Sequence, residues 1–203
     1  MDDTACRKSG RHIPGVATVR DPQSPPYHVN LIRGLRFVQA SLMVAPLDGN
    51  GPALSLPVRF QPAPPVAKPK KGAPDQEWDE YKKSKKACSL AQVGLATVLN
   101  LRKAFDKRSD TLLRQFIITV DGSYTNQVLL KALPPRTTLI GRIRQDADLR
   151  LPLNPKEKTN GRPRKYGIKA PIPKEILSDD SVPFQQVPCF AVGEMRNFKV
   201  KAF

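Results

Sequence analysis

Apolar positions in this chain fall into three patterns, namely short unbroken runs, alternation, and one long helical stripe, and each predicts a different element. Phe116-Ile117-Ile118-Thr119-Val120 is short, apolar and rich in β-branched residues, the pattern of a strand buried on both faces. "LIRGLRFVQASLMVAP" (31–46) predicts a core strand from about Leu35 to Val44, entered by a bend at Gly34. "ALSLPVRF" (53–60) alternates like a partner strand across the turn "PLDGNGP", and so short a connection favours an antiparallel pair. "TTLIGRIR" (137–144) is a further buried strand. "VPFQQVPCFAVGEMRNFKVKAF" (182–203) reads as two more strands around Gly193.

The helical pattern is longest after "QPAPPVAKPKKGAP" (61–74), whose prolines and lysines predict an exposed, extended loop. Asp75 is the expected N-cap, and Glu77, Asp79 and Glu80 suit a helix N-terminus. No proline follows until after Phe105, so one amphipathic helix over about 76–106 is predicted. Its stripe is Trp78, Tyr81, Cys88, Ala91, Leu95, Leu99 and Phe105, interrupted by Lys85 and Arg102, and Gly94 marks a close contact or bend. "YTNQVLLKAL" (124–133) predicts a short helix stopped by Pro134-Pro135. Strands, helix, strand, helix, strand make an α/β fold, a mixed sheet with covering helices. The segments are a core over 1–153, a basic proline-bearing loop over 154–181 and a strand-rich stretch over 182–203.

Charge changes this picture more than composition does. The 203 residues carry 34 Lys and Arg against 18 Asp and Glu, a net charge of +16, which favours a polyanionic partner, above all nucleic acid. A membrane partner is disfavoured, because no apolar run approaches the ~20 residues of a spanning helix. Met1-Asp2-Asp3 does not open like a secretory signal. Cys6, Cys88 and Cys189 are odd in number and far apart, which predicts reduced thiols and a cytoplasmic location. His12 and His28 lie in no zinc-ligand spacing with them.

The apolar run 116–120 ends on Asp121 and Gly122. Carboxyl ends of strands in open α/β sheets hold ligands and catalytic groups. Asp-Gly is also a common turn dipeptide, so a cap or turn role is the simpler local reading.

Read together, "MDDTACRKSGRHIPGV", "VDGSYTN", "TTLIGRIRQDADLRLP" and "GRPRKYG" resemble bacterial insertion-sequence DDE transposases of the ribonuclease-H-like superfamily. The resemblance spans essentially the whole chain in the expected order. It implies a ribonuclease-H-like mixed sheet and metal-dependent cleavage and transfer of DNA strands. It also implies that Asp3 and Asp121 are the first two acids of the metal-binding triad. Asp2 is the fallback for Asp3, since neighbouring strand residues face opposite sides. Two Mg²⁺ (or Mn²⁺) ions ~4 Å apart would activate the nucleophile and stabilise the leaving oxygen, and such hard cations take carboxylate oxygens. The implied partner is double-stranded DNA, the element's ends and its target, with a homodimer in the intact transposase and a nucleoid-associated location.

The third acid of the resemblance, a helical Glu between Arg and Lys, has no match. Glu194 in "VGEMRNF" lies in strand-like sequence and is not assigned to it. Met1 falls where the middle of the first strand is expected. The chain is therefore expected to be incomplete at both termini and inactive alone. Arg162, Arg164 and Lys165 in "GRPRKYG" are the candidate DNA-binding residues, through phosphate contacts or, as a Gly-Arg-Pro core, in the minor groove. The main alternative is a non-catalytic basic DNA-binding protein. An RNA-binding protein is less supported, because the aromatics sit in core-like segments rather than on a stacking platform. A cellular nuclease of the same fold stays open, since fold does not fix function.

Overall fold

The computed structural model describes all residues except 11, 22–23, 26–27, 29, 47–50, 154–165, 192 and 203. The chain forms two compact units: Met1–Val44 with Ser55–Arg142, and Ala45–Leu54 with Ile143–Phe203.

In the first unit, β3 (Leu31–Val44) is the strand to which β1 (Asp2–Arg7), β2 (Ala17–Arg20) and β4 (Leu54–Pro62) each pair. β1 and β2 run antiparallel to it, and their ladders meet at Gly34, which opposes both Arg7 and Ala17. The expected bend at Gly34 is instead regular strand. A Cβ at Gly34 would come within 2.5 Å of the Cys6 carbonyl oxygen, so glycine serves close strand approach rather than a turn.

The single helix expected over 76–106 is two helices, α1 (Asp75–Ala87) and α2 (Leu90–Asp106). Ser89 makes the break, with an extended backbone and a hydroxyl that accepts the Gln92 N–H at 3.4 Å. That N-cap bond competes with helix continuation. Pro74, not Asp75, precedes the first helical residue of α1. α1 buries no residue, and Trp78 packs edge-on against Tyr81. α2 carries the buried face, through Gly94, Thr97, Val98 and Arg102. Arg102 therefore belongs to the buried stripe that it was expected to interrupt.

β5 (Phe116–Val120) and β6 (Thr137–Gly141) pair in parallel, joined by a crossover that contains α3 (Gln127–Lys131), as parallel neighbours require. α3 starts later than expected because Asn126 caps it, its side-chain oxygen accepting from the Val128 and Leu129 N–H groups. The strands at 35–44, 53–60, 115–121 and 137–143 were expected in one sheet. They fall instead into two hydrogen-bonded sheets, the four-stranded one around β3 and the β5–β6 pair. The Met1 nitrogen donates to the Thr119 carbonyl at 2.7 Å, a single main-chain bond between the start of β1 and β5, short of a ladder. What unites the unit is its core: Val38, Ala63, Val98, Ile118, Val120, Tyr124 and Leu129 form one buried cluster drawing on both sheets, α2 and α3. Each fully buried aliphatic side chain contributes about 1.5–3 kcal/mol.

In the second unit, β7 (Gln185–Ala191) and β8 (Glu194–Val200), the two strands expected around Gly193, pair as an antiparallel hairpin. Gly193 supplies its turn with a φ of 83°, a value favoured only for glycine. α4 (Pro173–Ser178) begins on a proline at its first turn and was not expected. The three cysteines are free and exposed.

Candidate active site

The register of β1 decides where the two N-terminal acids point. Asp3 opposes Val38 and Asp2 opposes Gln39, and opposed residues of an antiparallel pair share a face. Val38 is fully buried, so Asp3 lies on the core face and Asp2 on the other. An unpaired carboxylate there would carry a large desolvation cost. Arg36, on the same face of β3, meets it with a fork. Its Nε and Nη2 donate to Asp3 Oδ2 at 3.0 and 2.7 Å, with only 11% of the Asp3 side chain exposed. Asp2 is exposed, and its Oδ1 accepts the Asp3 N–H at 2.8 Å. A cleft of about 520 Å³ opens on this strand, lined by Met1, Asp2, Asp3, Gln39, Ser41 and Thr119 among others.

Asp121 follows the last residue of β5 and closes a tight local turn. Its Oδ1 accepts the Ser123 N–H at 3.0 Å and its Oδ2 the Ser123 hydroxyl at 3.3 Å. Its carbonyl accepts from the Tyr124 N–H and the Thr125 hydroxyl, both at 3.2 Å. The turn role suggested by Asp-Gly is thus realised, as a side-chain-stabilised turn. Its product is the position of Tyr124, which enters the core fully buried with no hydrogen-bond partner for its hydroxyl among the described residues. A Cβ on Gly94 would be 2.8 Å from the Tyr124 ring, so the expected close contact at Gly94 is the seat of this ring.

The buried Tyr124 phenol feels charges from both ends of the unit. Burial pushes its phenol pKa far up, and the charges of Asp3, Asp2 and Asp121 push the same way against Arg36. At Met1, burial pushes the ammonium pKa down while Asp2 and Asp121 oppose the shift. Asp3 and Asp121, remote in sequence, thus both raise the Tyr124 phenol pKa, while at the Met1 ammonium it is Asp2 that acts together with Asp121. Neither Tyr124 nor Arg36 was singled out from sequence. The sign of Tyr124 was its place three residues after Asp121, and Arg36 gave none until the β1–β3 register was known.

Carboxylate oxygens are the hard donors that Mg²⁺ or Mn²⁺ takes, so Asp3 and Asp121 fit such an ion in donor chemistry. They are incomplete in number: among the described residues, no group of three or more His, Cys, Asp or Glu is gathered to hold a metal. Glu194 opposes Ala191 at the hairpin end, is exposed, and pairs with Arg196 at 2.7 Å. Arg162, Arg164 and Lys165 lie outside the described residues.

The family model of the DDE superfamily endonucleases matches residues 1–186, a span that includes both Asp3 and Asp121. The chain belongs to this family. As a DDE endonuclease domain it is transposase-like, with DNA as its substrate class, and endonucleases of this superfamily generally depend on divalent metal. Its mixed α/β architecture is compatible with such a nuclease. No curated protein and no solved structure matches the chain. Among the described residues, no helix is long and apolar enough to cross a membrane.

Proposed function

We propose that this DDE endonuclease domain serves the transposition of a bacterial insertion sequence, with Asp3 and Asp121 as two carboxylate ligands of its catalytic Mg²⁺ or Mn²⁺. The observation that carries this reading is the bond from the Met1 nitrogen to the Thr119 carbonyl at 2.7 Å, which brings the start of the strand that carries Asp3 to the strand that ends at Asp121, although the sequence holds them far apart. A ribonuclease-H-like core is supported by the parallel β5–β6 crossover next to a first strand that carries an acid. A divalent ion held there would supply the charge that lets an oxygen nucleophile approach an anionic phosphodiester. The protein's own part is to place the carboxylates: the register of β1 sets the face of Asp3, and the Ser123 turn orients Asp121. With no third acid gathered among the described residues, and Asp3 paired to Arg36, the 203-residue chain alone holds metal weakly and leaves DNA uncut. The setting proposed is the cytoplasm, at the nucleoid, with the transposase working as a homodimer.

The test is Mn²⁺ binding. The Asp121→Asn variant keeps an oxygen to accept the Ser123 N–H but loses the charge. It should weaken binding by about tenfold or more, at least the effect of losing an outer partner of a metal ligand. Unchanged binding would remove Asp121 from the ligand set. Mn²⁺-dependent cleavage of DNA bearing the element's ends by the wild-type chain, abolished in the same variant, would overturn the proposed inactivity and show a third ligand at work.

The basic segment is proposed to grip the DNA backbone. Replacing Arg162, Arg164 and Lys165 by Ala should weaken duplex binding across sequences. It should also flatten the dependence of log K on log salt by about 0.9 for each phosphate no longer neutralised. An unchanged slope means that these side chains touch no phosphate.

A further inference from the structure

We propose that Arg36 is a built-in counter-ion that sets how tightly this site takes a divalent cation. The inference rests on reading Asp3 as a metal ligand, and goes beyond it by assigning control of that ligand to a second residue. Two observations carry it. Both guanidinium N–H bonds go to one oxygen of Asp3, Oδ2, rather than one to each, so that oxygen is already committed to a positive charge. The pair sits where water screens it poorly, with 30% of the Arg36 side chain and 11% of the Asp3 side chain exposed, so the attraction is stronger than at the surface. Asp3 is thus held by Arg36 without a cation, and a cation has to compete with the guanidinium for the same carboxylate.

A merely structural Arg36, present only to neutralise a half-buried acid, would govern stability and leave metal affinity alone. Mn²⁺ binding to the whole 203-residue chain, followed by the electron paramagnetic resonance of free Mn²⁺, separates the two roles. Arg36→Gln should tighten Mn²⁺ binding by about tenfold, within the range that outer partners of metal ligands exert. Adding Asp3→Asn to it should abolish the gain. Arg36→Lys keeps the charge but loses the fork, so it should tighten binding by a smaller factor. It also serves as the test if Arg36→Gln fails to fold, which thermal unfolding would reveal. Mn²⁺ affinity unchanged in both Arg36 variants, while Asp3→Asn alone weakens it, would overturn the counter-ion role and leave the ligand assignment standing. Affinity indifferent to Asp3→Asn would overturn the ligand assignment, and the counter-ion role with it.

Discussion

Tyr124→Ala should unfold the first unit under mild denaturant, losing about 3–5 kcal/mol, the usual cost of truncating a buried aromatic. Domains typically hold only about 5–15 kcal/mol in all, so this one change removes a large share. The ring lies in the same buried cluster as Val38, Val98 and Leu129, and only the absence of a Cβ at Gly94 makes room for it. Tyr124→Phe should behave oppositely. Its hydroxyl has no partner among the described residues, and removing an unsatisfied buried donor is neutral or stabilising by about 1 kcal/mol. Urea denaturation of the three proteins checks the order. A Phe variant as unstable as the Ala variant would mean that the hydroxyl, not the ring, holds the unit together.

Much of this unit could be read from the sequence because its signals are local. The β-branched run became β5, and "TTLIG" became β6. In the second unit the hairpin likewise formed around Gly193. Gly94 marked a close contact, as expected. What failed depended on information that the sequence does not hold locally. One serine hydroxyl splits the long helix at Ser89, a choice decided by the Gln92 N–H it captures. The turn at Asp121 was readable as Asp-Gly, and the hydrogen bonds to Ser123 bear that reading out; its bearing on Tyr124 was not readable. Strand sharing was mistaken for a different reason. Apolar runs predict strands but not their neighbours, and β5 pairs with β6 while β1, β2 and β4 gather on β3.

The site divides in the same way. Alternation along β1 sufficed to say that Asp2 and Asp3 point to opposite faces. Only the pairing with Val38 shows which face is the core. Arg36 looks like an intrusion in an apolar strand until that register sets it diagonally across from Asp3. Arg102 misled for a related reason: a charge in an amphipathic stripe reads as a break, yet this one is buried because every arm of its guanidinium finds an acceptor.

Arg102→Met should be the most damaging charge-removing substitution among the described residues, with a larger fall in urea midpoint at pH 7 than Asp106→Asn causes. The Arg102 side chain is 3% exposed. Its Nη1 donates to the Arg114 carbonyl at 2.9 Å, its Nη2 to the Leu112 carbonyl at 3.0 Å, and its Nε to Asp106 Oδ1 at 2.9 Å. These bonds tie the loop leading into β5 onto the end of α2. Methionine fills a similar volume but leaves both carbonyls without that donor, and unsatisfied buried acceptors carry their full desolvation cost. Asp106→Asn is milder because an amide oxygen can still accept from Arg102 and from Arg136, which reaches Asp106 at 3.1 Å. The pH dependence separates the carboxylate from the carbonyls. The hydrogen bond from Arg102 holds the Asp106 pKa below its ordinary value of 3.8. A depressed folded-state pKa adds stability that is present above the unfolded value and lost as pH falls through the folded one. The wild-type advantage over Arg102→Met should therefore be largest near neutral pH and shrink below about pH 4, without vanishing, because the carbonyl bonds do not titrate. An advantage that disappears entirely in acid would show that the ion pair alone anchors the loop.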